Sequence, residues 1–217
     1  MSLRYESPWT AIGKRQRGEP PTDLDIRPAT KADIPDLSKL LLMATDGIVA
    51  SLYDSVIPGL ATHEIVERRL AREDTCDSYA NCWVAADRER IAGNLHAYPL
   101  DDVTNDPPDP LVPEERTAVL EPFEALDEPA AGSYYINAVA VYPDYRRQGL
   151  GGRLLELARA QAEARGFSHL SLAVFEENAS AVRLYERAGF TVAARAPVAP
   201  HPLIPFSGDL LVMMRPV

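Results

Sequence analysis

Apolar positions recur at helical spacing in two early stretches of the chain. Asp33 to about Ala44 carries Ile34, Leu37, Leu40 and Leu41, and His63 to Arg72 carries Ile65, Val66, Arg69 and Leu70. Both spacings predict an amphipathic helix with one face inward. Extended segments surround them. Leu24 to Arg27 reads as a first strand, and Cys82 to Ala86 with Ile91 to Tyr98 as a pair joined through Asp87 to Arg90. Later, Ile136 to Val141, 168–175, 190–196 and 209–215 read as strands. Helices are expected at about 150–165, stopped by Gly166, and at 179–188. The pattern breaks in two places. Residues 1–22 are polar and proline-containing, which predicts a flexible N-terminal arm. Residues 99–132 are rich in proline and carboxylates, an insertion with at most a short helix around Glu114 to Leu120. There is no internal repeat. Hairpin strands first and a strand–helix–strand unit later imply an α+β sheet covered by helices, in a single domain over 23–217.

Composition narrows the class. The chain has 217 residues, 46% of them hydrophobic, enough for one full core. No apolar run approaches the ~18 residues of a membrane span, and the N-terminus has no apolar stretch of the secretory kind. Cys76 and Cys82, without clustered partners at metal-ligand spacing, read as reduced thiols. Together these imply a cytoplasmic protein with no metal and no membrane partner. A net charge of −10 argues against a nucleic-acid partner, since no basic stripe is present to meet phosphates. Arg146, Arg147 and Arg153 form a local basic island in that acidic background.

That island lies in the most informative stretch, Ile136 to Leu155. A strand runs into a short turn, and Arg146-Arg147-Gln148-Gly149-Leu150-Gly151-Gly152 opens a helix. The first amides of a helix have no intrahelical acceptor and sit at the positive end of its dipole, which makes them an anion site. Glycines admit a ligand close to the backbone, and arginines add charge-assisted hydrogen bonds. Such a loop suits a diphosphate. Gly152-Arg153 replaces the Lys-Ser/Thr of a Walker loop, and Leu154 stands where a dinucleotide fingerprint needs its third glycine.

What remains, Arg146-x-x-Gly149-x-Gly151 after a strand ending Val-Ala-Val, resembles the acetyl-CoA signature of the GNAT superfamily of N-acetyltransferases. A second signature of that family resembles residues 170–190, a strand followed by Asn178, Ala181, Leu184, Tyr185, Gly189 and Phe190 in place. Read from the residues alone, Asn178 is a good N-cap, Ala181, Leu184, Tyr185 and Ala188 share one helix face, and Gly189 is a stop. The match is close over roughly 130–195 and elsewhere follows element order only.

The resemblance implies a mixed, mostly antiparallel sheet flanked by helices, with two splayed strands forming an acetyl-CoA slot. It implies that Val139, Ala140 and Val141 meet the pantetheine arm, that Arg146, Arg147, Gln148, Gly149, Leu150, Gly151 and Gly152 hold the diphosphate, and that Asn178 touches the pantetheine. Tyr185 falls where the family commonly places the acid that protonates the departing thiolate. The glutamate base of many members has no counterpart, since Tyr135 and Ala173 stand in its places. Asn137, on the face of Tyr135, Val139 and Val141 by the period of two, is expected to order a water instead. Glu176 and Glu177 read as solvated, and His201 as a turn histidine or a base. The acceptor is a primary amine of a small molecule or peptide, a small cationic amine being favoured by the acidic chain, with Asp46 and Asp54 as groups to receive it. The expected activity is direct acetyl transfer. A non-catalytic acyl-CoA sensor or scaffold is the alternative, and the arm and insertion are open to a homodimer interface.

Overall fold

A computed structural model of the chain describes residues 24–87, 90–206 and 208–217. The arm expected at 1–22 lies outside the described residues. The chain runs β1 (Asp25–Pro28), α1 (Ile34–Ala44), α2 (Ile48–Tyr53), α3 (Thr62–Leu70), β2 (Cys82–Ala86), β3 (Ile91–Pro99), α4 (Glu121–Ala130) and β4 (Tyr134–Val141). It continues through α5 (Leu150–Ala164), β5 (His169–Phe175), α6 (Ala179–Arg187), β6 (Thr191–Ala196) and β7 (Leu210–Pro216). The strands form one seven-stranded sheet in the order β1-β2-β3-β4-β5-β7-β6. All neighbours are antiparallel except β4 and β5.

Helices cover both faces. On one, the α5 stripe of Leu150, Leu154, Leu155, Ala158 and Ala162 packs on Leu95, Ile136, Leu170 and Met213. On the other, Leu37 and Leu41 of α1 and Ile65, Val66 and Leu70 of α3 cover Val84 and Ala138. A third cluster joins Ile48 to Phe175, Ile204, Leu210 and Val212 at the far end of the sheet. Asp33 ties β1 to the start of α1. Its carboxylate accepts both Arg27 guanidinium nitrogens at 2.8 Å and the Thr30 N–H at 2.7 Å, which holds it well below the usual carboxylate range, at about 2.

Two features of the sheet position the site. The β4–β5 ladder has three pairs, the last being Ile136 with Leu172, and past it the strands separate. The β3–β4 register slips at the same level, His96 pairing with Ala138 but Ala97 with Ile136, so Asn137 is an extra residue. This bulge overturns the period-of-two placement of Asn137. Ile136 faces the α5 core and Ala138 the α1–α3 core, because one inserted residue exchanges the faces of everything beyond it. Val139 and Val141 therefore pack toward α5, while Tyr135 and Asn137 look into a cavity on the other side.

Three expectations are refined. The β4 strand begins at Tyr134, two residues early. The short helix in the insertion is a 3-10 segment, Glu114–Leu120, that runs directly into α4. Helix α2 escaped the periodicity reading because it is only six residues long.

Candidate active site

The loop between β4 and α5 is built as its residues dictate. Arg147 and Gly149 both take left-handed backbone angles, φ 61° and 80°, and Gly149 is the N-cap of α5. The first helical bond runs from the Arg153 N–H to the Gly149 carbonyl at 3.1 Å. The amides of Leu150, Gly151 and Gly152 thus precede any intrahelical acceptor. A side chain at Gly149 or Gly152 would meet nothing within 4 Å, whereas one at Gly151 would touch Leu184 of α6 at 3.3 Å. The cradle is open on its outer side and closed against α6. Leu150 anchors the loop in the core. Arg146 donates from Nε to the Val141 carbonyl at 2.9 Å, Gln148 from Nε2 to the Asp144 carbonyl at 3.1 Å, and Arg153 to the Leu24 carbonyl at 3.0 Å. Arg147 is exposed. An anion at this helix end meets open amides and adjacent guanidinium charge.

The edge of β4 faces the gap between the splayed strands. Tyr142 N–H bonds to Ala92 on β3, and alternation then turns the polar groups of Val139 and Val141 away from β3. The Arg146 bond to the Val141 carbonyl agrees. Ala140 points its backbone at β3: its carbonyl lies 2.4 Å from where a Cβ on Gly93 would stand.

Across the gap sits α6. Asn178 caps it, with Oδ1 accepting from the Ala181 N–H at 3.2 Å. Its Nδ2 donates to Asp46 Oδ2 at 2.9 Å. Asp46 occupies the α1–α2 turn at φ 48°, followed by Gly47 at φ 91°. Any side chain at Gly47 would come within 1.9 Å of the Leu203 carbonyl, so only glycine lets the chain close over that turn. Burial pushes the Asp46 carboxyl up to about 6 against the opposing Asn178 bond. The Tyr185 hydroxyl is also held protonated, pushed up to about 12 by burial and then by the Asp46 charge. Its ring lies 6.0 Å from that of Phe190.

Asp46 also lines a cavity of about 630 Å³ that opens at the β4–β5 gap. Its floor includes Tyr135, Asn137 and Ala173, its apolar walls Leu52, Phe123 and Phe175, and its far end Arg69, Thr75 and Asp77. The insertion contributes one side, through Val103 to Asp109 and Glu114 to Glu124. Asn137 donates from Nδ2 to His96 Nδ1 at 2.9 Å, and His96 Nε2 donates to the Cys76 carbonyl at 2.9 Å. This chain of bonds holds the buried imidazole neutral, its pKa lowered by desolvation.

The other candidates sit elsewhere. Asp54 takes the Thr62 hydroxyl at the start of α3, at 2.9 Å. Glu176 pairs with Arg195 at 2.7 Å. His201 accepts the Leu203 N–H at 3.2 Å within its own turn. Cys76 and Cys82 are free and buried, and burial raises both thiols, Cys76 to about 12. Among the described residues no cluster suited to a metal ion occurs, and no helix is long and apolar enough to cross a membrane. The Asp46–Asn178 pairing and the Arg69–Thr75 end of the cavity carried no local signal. Their partners are remote in sequence and follow no motif.

Residues 50–190 match the family described as acetyltransferase (GNAT) family, and the chain belongs to it. Among curated proteins, it is 51% identical over 55 residues to the Escherichia coli (strain K12) [ribosomal protein bS18]-alanine N-acetyltransferase, over 25% of this chain and 37% of that one. It is 38% identical over 98 residues to Saccharomyces cerevisiae N-alpha-acetyltransferase 40, over 42% of this chain and 33% of that one. The chain thus spans about a third of the length of these relatives. Among solved structures, Drosophila melanogaster polyamine N acetyltransferase superposes with a TM-score of 0.61 at 16% identity, over 90% of this chain and 100% of that one. That likeness is one of fold.

Proposed function

We propose that this chain is an acetyl-CoA-dependent N-acetyltransferase that acts directly on the primary amine of a small acceptor. One observation carries the reading. The gap between β4 and β5 opens at Ile136 and Leu172, with the glycine loop on one flank, Asn178 and Tyr185 on the other, and the cavity behind it. In this reading the α5 amides from Leu150 to Gly152, with Arg146, Arg147 and Gln148, hold the diphosphate. Val139 and Val141 offer main-chain bonds to the pantetheine arm, as an added strand would. Acetyl-CoA supplies an activated acyl group. Tyr185, protonated across the neutral range, gives its proton to the departing thiolate. Asp46, held by Asn178 at the mouth of the cavity, receives the incoming ammonium and takes up its proton, the part a strand glutamate would otherwise play. A cavity of about 630 Å³ is of the size that encloses a small molecule.

The test is thiol release from acetyl-CoA in the presence of a panel of primary amines, with Tyr185→Phe beside the unaltered protein. Turnover should fall about 100-fold or more with KM for acetyl-CoA little changed, since a proton is lost and little contact area. Undiminished turnover rejects Tyr185 as the acid. Saturable acetyl-CoA binding without thiol release from any amine supports a non-catalytic acyl-CoA-binding role instead.

A further inference from the structure

The far end of the cavity holds hydrogen-bond donors that the protein itself does not use. Arg69, in the last turn of α3, engages Asp77 through Nε and Nη2 and lies 5.3 Å over the Tyr53 ring. Its third nitrogen, Nη1, is buried without a partner among the described residues, and so is the Thr75 hydroxyl. Both residues line the same cavity. Buried donors are nearly always paired, and each unmade bond costs about 1–3 kcal/mol. Two such groups, on residues that line one cavity, point to a ligand oxygen that completes them.

The nearby carboxylates do not fill that role. Asp106 accepts the Cys76 N–H at 2.8 Å, and Asp109 accepts the Tyr53 hydroxyl at 2.6 Å and the Leu111 N–H at 2.9 Å. Arg72, also on the cavity wall, comes no nearer a carboxylate than 3.6 Å to Asp74 and 3.9 Å to Asp109. Two guanidinium groups therefore stand at this end, with donors to spare. At the other end, by the gap, stands Asp46.

We infer that the acceptor is an amino acid: its amine lies at Asp46 and its carboxylate is bound by Arg69 Nη1 and the Thr75 hydroxyl, with an apolar body between. This rests on the acetyltransferase reading for the amine end only. Guanidinium donors bond an ionised oxygen about twice as strongly as a neutral one, which favours a free carboxylate over the carbonyl of a peptide or amide. A plain polyamine would leave both donors unmet and set a second cation beside Arg69 and Arg72.

Matched acceptors test this. Phenylalanine, phenylalaninamide and phenethylamine form one set, and 5-aminopentanoate, 5-aminopentanamide and pentylamine another. In at least one set the acid should exceed both counterparts tenfold or more in kcat/KM. Thr75→Val and Arg69→Lys should each erase that preference while the melting temperature shows the fold retained. Arg69→Lys keeps a charge for Asp77 and loses the fork. An amide or amine used as well as its acid in both sets, or a preference that survives either substitution, overturns the inference. A second arm is independent of turnover: calorimetric titration with 3-phenylpropionate and with 3-phenylpropanol. Binding of the acid alone, lost in Thr75→Val, upholds the carboxylate site even if no amine is acetylated. Equal binding, or none, overturns it.

Discussion

Single residues of this chain divide into those whose space is empty and those whose space is filled, and that decides which substitutions are informative. Gly152 is helical, and a Cβ there meets nothing within 4 Å, while one at Gly151 presses on Leu184 at 3.3 Å. Gly152→Asp thus adds negative charge to the cradle without a packing fault. Acetyl-CoA affinity should drop at least tenfold in calorimetry with the melting temperature of the free protein little changed. Asp46 makes the opposite point. Burial disfavours its charge and pushes its carboxyl from 3.8 up to about 6. The folded state then holds the proton more tightly than the unfolded chain, so stability is lost as pH rises between those values and stays lower above them. Asp46→Asn keeps an acceptor for Asn178 and removes that loss, so it should gain about 1–3 kcal/mol over the unaltered protein at pH 7.5 and little at pH 3.5 in urea unfolding. The rise of kcat/KM through about pH 6 should disappear in the same variant. A variant that keeps the rise shows that Asp46 takes no proton from the acceptor.

Among elements, the decisive event is the extra residue in β4. One insertion at Asn137 turns Val139 and Val141 toward α5 and leaves Tyr135 and Asn137 facing the cavity. The parallel ladder to β5 ends at the same level. The Asn137 amide is also tied inward, to a histidine that in turn holds the Cys76 carbonyl. Asn137→Ala would leave His96 Nδ1 buried without a donor. A loss of about 1–2 kcal/mol in urea unfolding, with the slope unchanged, is the expected outcome; no loss would mean the bulge stands without that bond.

For the whole molecule, the proposed function asks an acidic chain of net charge −10 to bind a polyanion at one loop. That loop lies where the sheet splits and where α5, α6 and the α1–α2 turn converge. A ligand held there stabilises only the folded state. Acetyl-CoA at a hundredfold excess over its Kd should add about 2.7 kcal/mol, or roughly 5–10 °C in melting temperature for a chain of this size. The gain should be absent in Gly152→Asp.

The sequence by itself determined the elements that rest on near neighbours. The Leu37 and Leu41 stripe, the α5 stripe from Leu150 to Ala162, the Asn178 cap and the Gly166 stop involve residues within a few positions of one another, so spacing alone specifies them. The glycine loop was legible for the same reason, since its amides, its glycines and its arginines are consecutive. The family followed from two such local patterns in order. Tertiary structure decided the rest. The bulge depends on what β3 offers opposite Asn137, and it reversed the face that alternation predicts. Asp46 meets Asn178 across 132 positions, and the unused donors of Arg69 and Thr75 become a site only when the insertion and the splayed strands close a cavity over them. Burial, which sets both the Asp46 titration and the cost of an unmade bond, is a property of the packed chain and has no counterpart in the order of its residues.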